Sequence, residues 1–295
     1  MTLVQLRHLI TLAELGSFVQ AADALCLTQP ALTRSIHVLE DELGGPLFNR
    51  QVRPTQLTPL GEQVLHRART IVSDADALKQ ISNSLKSGLI GSLRIGFSSA
   101  PGVLFSVPLM QHMARHHPRL QVQISRGGSA LLVNELRDRR LDAAVVNLRS
   151  IPTSSELKIA YDFELEVGFL ARSDHPLVLL GRTLEFQEVM AYPIASTPLS
   201  DEVARSLVTV YGTTASPDDM VTLRCDETLS IVDLARREDI VVFTICAAAN
   251  DLVRLDLTPT LDATGHFGLV TLNRNQDSPA IQIVRKQLSH WMADL

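Results

Sequence analysis

Residues 17–58, SFVQAADALCLTQPALTRSIHVLEDELGGPLFNRQVRPTQLT, constrain the start of this chain more tightly than any other stretch. Ser17 reads as an N-cap, with Gln20 placed to complete a capping box. The helix it opens runs from Phe18 to Leu25, and Thr28 opens another after a few residues. Pro30 falls in the first turn of that second helix, where a missing N–H has no intrahelical partner to lose. Leu32, Ile36, Leu39 and Leu43 recur at helical spacing, and Gly44 sits where a left-handed cap would stop the helix. Two helices joined by a tight turn, the second with one face left over, make a helix-turn-helix.

The leftover face carries Thr28, Gln29, Pro30, Thr33, Arg34 and His37. Arg, Gln and Thr are side chains that read base edges in a major groove. The segment Phe48–Thr58 then reads as a two-stranded wing with Arg50 and Arg53 near its tip, suited to phosphates or a narrow minor groove. Taken alone, the same pattern also describes a solvated helix face followed by an ordinary hairpin.

At 295 residues, 45% hydrophobic and 20% charged, the chain has the composition of a globular protein of two or three domains. No apolar run reaches membrane-spanning length, and the N-terminus lacks a basic region and cleavage site, so a cytoplasmic protein is expected. That N-terminus is amphipathic, with Leu3, Leu6, Ile10 and Ala13 on one face. The net charge is -5, and cations and carboxylates balance within residues 1–87. Any basic footprint is therefore local, and DNA affinity would lean on assembly of several subunits. Cys26, Cys225 and Cys246 form no CxxC pair, so no zinc or disulfide framework is expected, and no other metal or cofactor is implied. A GxSxG, P-loop, GxGxxG after a strand, or HExxH is missing too, and the histidines are scattered; no catalytic residue is assigned.

Thr58-Pro59 starts a helix that runs to about Leu85. Val64, Ala68, Ile71, Ala75, Leu78, Ser82 and Leu85 alternate in steps of four and three, which reads as a seam between two copies or as packing on the helix's own domain. Beyond Ser92, short apolar runs (93–97, 120–124, 141–146 and 239–245) alternate with helical patterns such as 103–117 and 129–139, an α/β arrangement with mainly parallel sheets. Ser98 and Ser99 follow the first strand at a helix start, Gly127-Gly128-Ser129 follow the second, and Asn147 follows the third. Helix starts suit a carboxylate or similar anion, although each hydroxyl could equally be an ordinary N-cap. Arg126 and Arg149 lie nearby in sequence.

The run TQPALTRSIHVLEDELGGPLFNR, with LTPLGE after it, resembles the N-terminal domain of LysR-type transcriptional regulators. Thr28, Gln29, Pro30, Ala31, Thr33, Leu39, Glu40, Leu43, Gly44, Leu47, Phe48, Arg50, Leu57, Thr58 and Gly61 carry the match. His37 and Gly45 depart from it, standing where a basic and a β-branched residue are common. The resemblance implies a winged helix-turn-helix over 1–58 and a dimerising linker helix over 59–87. It implies a two-lobed effector domain, similar to periplasmic binding proteins, over 88–295. Lobe 1 would be about 91–161 with 266–295, and lobe 2 about 162–265. Carried over by position, Ser98, Ser99, Gly128, Ser129 and Asn147 would face Ser196, Thr197 and Thr228 across an effector cleft. Some relatives sense peroxide through paired cysteines, which draws attention to Cys225 and Cys246, although their spacing differs. The implied partners are double-stranded DNA carrying an interrupted palindromic operator, a small organic effector, here a carboxylate or similar anion, and further copies in a homodimer or homotetramer. RNA polymerase is left open as a partner, and no membrane is involved.

Overall fold

The computed structural model describes residues 1–49, 54–84, 91–152, 154–273 and 277–295, the side chains of 77–84 excepted. It divides into two compact units, Met1–Gly88 and Leu89–Leu295.

The first unit is built from α1 (Leu3–Leu15), α2 (Phe18–Ala24), α3 (Gln29–Leu43), β1 (Phe48–Asn49), β2 (Gln56–Leu57) and α4 (Pro59–Ser84). Its core joins Leu6, Leu9 and Leu12 of α1 to Ala21, Ala22, Leu32, Ile36 and Leu39, and to Leu65, Ala68 and Val72 of α4. Leu3, expected on the inner face of α1, is exposed instead. Ser17 accepts from the N–H of Gln20 as an N-cap. The reciprocal capping box forms at α1, between Thr2 and Gln5. α3 ends at Gly44 in the left-handed region at φ 77°, and β1 pairs antiparallel with β2, Phe48 opposite Leu57. The tip of this wing, with Arg50 and Arg53, lies outside the described residues.

Of the two readings of the α4 stripe, its first half follows packing on the helix's own unit. Ala68 is buried and Val64 partly buried against the chain's own α1–α3, and the inward stripe is Leu65, Ala68 and Val72. α1 lies alongside α4 and takes up that face. Arg7 to Asp76 (2.5 Å) and Arg69 to Glu14 (3.4 Å) fasten the two helices. Ile71 stays outside this packing, 41% exposed. The side chains of Leu78 and Ser82, and all of Leu85, lie outside the described residues.

The second unit begins β3 (Gly91–Phe97), α5 (Ser99–His116), β4 (Leu120–Arg126), α6 (Ser129–Arg137), β5 (Ala143–Asn147) and β6 (Leu157–Ala171). β3 pairs parallel with both β4 and β5. The strand Thr264–Leu272 then runs antiparallel beside β5 and beside the first part of β6. Residues 167–170 of β6 pair antiparallel with Val241–Ile245, which lies parallel to Ile194–Ser196. One fifteen-residue strand therefore belongs to both lobes. The fold is α/β and two-lobed, with parallel strands in each lobe and antiparallel ones where the lobes join. The helices Asp201–Tyr211 and Thr228–Ala235 follow strands of the second lobe, and Pro279–Ala293 closes the chain against α5 of the first. α5 starts four residues earlier than its sequence pattern predicts. Pro101 is accommodated because the N–H groups of a first helical turn have no intrahelical acceptor, and the first ladder bond runs from the Gly102 N–H to the Ser98 carbonyl (2.8 Å).

Candidate functional site

In the first unit the inward stripe of α3 holds its other face outward. Thr28, Gln29, Pro30, Arg34 and His37 are exposed and Thr33 is half-buried. Together with Val38 and Asp41, Gln29, Pro30, Thr33, Arg34 and His37 form one open, shallow surface. Thr28 takes the N-cap conformation, yet its hydroxyl makes no capping bond, which leaves it available outside. His37 Nδ1 lies 3.2 Å from Asp41 one turn on. The helix is held from behind by His8 Nδ1 on Ser35 Oγ (2.7 Å). The buried Glu40 carboxylate also holds it, accepting from the N–H groups of Leu47 (2.9 Å) and Phe48 (3.4 Å) in the turn before the wing. A solvent-facing row of donors and acceptors on a rigidly backed helix can enter a major groove and read bases.

In the second unit, β3, β4 and β5 deliver Ser98, Gly128, Ser129 and Asn147 to their C-terminal ends. Ser98 is 6% exposed, and its hydroxyl has no hydrogen-bond partner. Ser99 Oγ lies 2.7 Å from Thr228 Oγ1 and accepts from the Thr228 N–H at 2.7 Å, joining lobe 1 to lobe 2. Ser129 Oγ accepts from the Asn147 N–H (3.1 Å), and Asn147 Oδ1 accepts from the Arg149 N–H (2.9 Å). These two side chains therefore also fix the local backbone. Ser196 is buried, and its hydroxyl donates to the carbonyls of Phe243 and Thr197, each at 2.9 Å, inside lobe 2. Thr197 is half-buried and Gly128 exposed. A second interlobe link, Arg149 Nε to Glu202 Oε2 at 2.8 Å, joins the end of β5 to the start of the helix Asp201–Tyr211.

The Arg236–Asp239 segment is held in ion pairs. Arg236 meets Asp251 at 2.6 Å, Arg237 meets Asp233 at 2.6 Å, and Asp239 meets Arg172 at 2.7 Å. Cys246 packs partly buried against the Leu170 cluster, as does Cys225. Burial pushes the Cys246 thiol up from its ordinary value, the opposite of what an activated thiolate needs.

The model for bacterial regulatory helix-turn-helix proteins of the lysR family matches residues 3–62, and the LysR substrate binding domain matches residues 86–293. The chain belongs to the LysR family of transcriptional regulators. Among curated relatives, the SDS degradation transcriptional activation protein of Pseudomonas sp. (strain ATCC 19151) is 32% identical over 291 residues, covering 95% of this chain and 93% of that one. BenM of Acinetobacter baylyi is 30% identical over 207 residues, 67% of this chain and 66% of that one. Among solved structures, a full-length OxyR variant from Pseudomonas aeruginosa superposes with a TM-score of 0.69 at 20% identity, covering 100% of this chain and 94% of that one. Full-length CbnR complexed with its target DNA gives 0.67 at 17% identity, covering 99% and 100%. LysR regulators bind DNA and small-molecule effectors and assemble as oligomers, and the family consists of regulators rather than enzymes. Among the described residues no helix is long and apolar enough to cross a membrane.

Reasoning from sequence missed the two hydrogen bonds between Ser99 and Thr228, the Arg149–Glu202 ion pair, and the role of Glu40 behind α3. The first two join residues far apart in the chain, of which sequence named Ser99, Thr228 and Arg149 singly but could not pair them; Glu40 lies close to its partners and had a signal as part of the family motif.

Proposed function

We propose that this LysR regulator changes transcription in the cytoplasm when a small organic anion, a carboxylate or a sulfate ester, enters the cleft between its lobes. The observation that carries the reading is Ser98: its hydroxyl is buried and unpartnered at the start of α5, whose first turn contains no acidic residue. A buried hydroxyl without a partner is costly, and a helix start favours negative charge. Ser99, Gly128, Ser129 and Asn147 would surround the ligand from lobe 1, with Ser196, Thr197 and Thr228 from lobe 2. Ser196 would act through the backbone that its hydroxyl ties down. Sulfate esters join carboxylates because a relative at 32% identity is named for SDS degradation.

DNA would be read by Thr28, Gln29, Pro30, Thr33, Arg34 and His37, with Arg50 and Arg53 of the wing on the backbone. The protein would bind an interrupted palindrome as a homotetramer, a dimer of dimers, with RNA polymerase as a further partner at the promoter. Ligand binding would shift the population of lobe arrangements and so the spacing of the DNA-binding units. The test is a calorimetric and thermal-shift screen of full-length protein against carboxylates, alkyl sulfates, matched alcohols and amines, since a specific ligand stabilises by mass action. Hits are then assayed for altered operator affinity. Tighter binding of a neutral or cationic compound than of any anion would sink the anionic reading.

A further inference from the structure

Arg126 ends β4 and lies across the first turn of α5. Its Nη2 donates to the Ser99 carbonyl at 3.1 Å. A Cβ built on Gly102 would stand 2.7 Å from Arg126 Cζ and 2.9 Å from Nε and Nη2, so the guanidinium rests on a helix surface that only glycine leaves open. That location is electrostatically unfavourable. The start of an 18-residue helix carries a partial positive charge, and a permanent cation there adds to it. Neither side supplies compensation: the first turn of α5 has no acid, and Arg126 makes no ion pair with a carboxylate among the described residues. Arg149, by contrast, is held by Glu202. The neighbouring helix start at Thr228 has Glu227 beside it, whose carboxylate accepts from Ser230 (2.8 Å). Positive potential is thus left uncompensated at the α5 start, beside the buried, unpartnered Ser98 hydroxyl and the Ser99–Thr228 junction.

We propose that Arg126 is the specificity-determining residue of the cleft. Its guanidinium and the first turn of α5 together take the anionic head group of the ligand. This rests on the effector reading above and adds a charge to it. The free N–H groups of Ser99 and Ala100 and the Ser98 hydroxyl supply the remaining donors, and the planar fork of arginine matches two oxygens of a carboxylate or sulfate. Gly102 is the positioning residue that lets the guanidinium lie there.

The test uses full-length protein with Arg126→Gln, Arg126→Lys and Gly102→Ala. The probes are acetate and sulfate against chloride at matched ionic strength, then hexanoate, hexyl sulfate and hexanol. Binding is read by calorimetry and melting by the fluorescence of Trp291. Acetate or sulfate is expected to bind wild type at least tenfold more tightly than Arg126→Gln, with Arg126→Lys between them; hexanoate against hexyl sulfate then identifies the head group. Gly102→Ala should lose anion binding as Arg126→Gln does without melting earlier, because alanine favours a helix. In dilute chloride Arg126→Gln should melt no lower than wild type. The proposal is overturned if wild type binds neither anion, if Arg126→Gln binds them equally well, or if that variant melts lower in dilute chloride, which would mark Arg126 as a structural clamp. Anions that bind through Arg126 without altering operator affinity would leave this site standing and remove the effector reading. Hexanoate or hexyl sulfate altering operator affinity equally in wild type and Arg126→Gln would do the reverse.

Discussion

Ser99 and Thr228, 129 residues apart, share two hydrogen bonds across the cleft, hydroxyl to hydroxyl and Thr228 N–H to Ser99 Oγ, both at 2.7 Å. Thr228 is fully buried, so Ser99→Ala strands two polar groups where water cannot replace the partner. Loss of about 1–3 kcal/mol is expected in urea denaturation followed by Trp291 fluorescence. Thr228→Val keeps the N–H bond and should cost less. Equal stability of Ser99→Ala and wild type would mean that the lobes part readily enough for water to enter.

His175 gives lobe 2 a pH dependence. The ring is fully buried, and its Nδ1 accepts from the Leu177 N–H at 3.1 Å, so the neutral form is the one that fits. Burial lowers its pKa from 6.5, opposed by Asp239 and Asp174 and assisted by Arg172. With the folded pKa below the unfolded one, the unfolded chain binds more protons as pH falls through 6.5. The stability contribution is therefore complete above that pH and declines below it. His112, lowered by burial and by His116, His117 and Lys286, acts in the same direction. His175→Asn, which retains a capping acceptor, should flatten part of the acid-side decline in the urea midpoint of Trp291 fluorescence. An unchanged slope would assign the whole effect to other groups.

Glu40 and Gly61 set the turn between the recognition helix and α4. Glu40→Ala would leave the N–H groups of the buried Leu47 and Phe48 without their acceptor, costing the first unit about 1–3 kcal/mol. Gly61→Ala should be harmful although alanine is the better helix former, because its Cβ would stand 2.1 Å from the Leu47 carbonyl oxygen. Far-UV circular dichroism in urea measures both, and operator affinity should fall in parallel. A Gly61→Ala protein as stable as wild type would show that α4 can shift without loss.

The recognition helix was legible because three local signals coincide within it: Pro30 in the first turn, the stripe Leu32, Ile36 and Leu39, and the left-handed Gly44 at its end. β6 was not. Residues 157–161 are intermediate or exposed, 162–166 alternate exposed and buried, and 167–171 are buried without interruption, since the strand passes from one lobe into the other. No single period describes such a strand, and its partner at 264–272 lies about a hundred residues on. The candidate cleft residues were legible as hydroxyls near helix starts, but what each hydroxyl bonds depends on distant neighbours. Ser196 turns to Phe243, Ser99 to Thr228, and Ser98 to none. The same limit applies to Arg126 and Arg149: both lie near candidate cleft residues in sequence, and only tertiary contacts separate the cation paired with a carboxylate from the one that is not.

Arg34 is exposed on α3 and shares its open face with Gln29 and Thr33. If it reads a base, Arg34→Ala should lose about 1–3 kcal/mol of specific operator binding and relax preference at one position. Arg53→Ala, in the wing, should weaken binding to all sequences alike and reduce its salt dependence. Fluorescence anisotropy with operator and scrambled duplexes separates the two. Equal, sequence-independent losses would make Arg34 a phosphate contact.

α4 divides its apolar residues between two faces. Val72 is 9% exposed and packs in the core of its own unit, whereas Ile71, one residue earlier, is 41% exposed. Successive helical positions lie about 100° apart, so the two side chains serve different faces. Val72→Glu should therefore unfold the first unit, because a carboxylate would enter an apolar core without a partner. If linker helices pair through this face, Ile71→Glu should leave that unit folded and act on assembly by placing a charge in their contact. Light scattering should then report smaller particles. Operator affinity should drop steeply, because two half-sites are no longer bound by one linked particle. Unaltered circular dichroism with unaltered mass in Ile71→Glu would move the dimer contact away from this face of α4. Joint loss of fold and assembly would show that Ile71 belongs to the core after all.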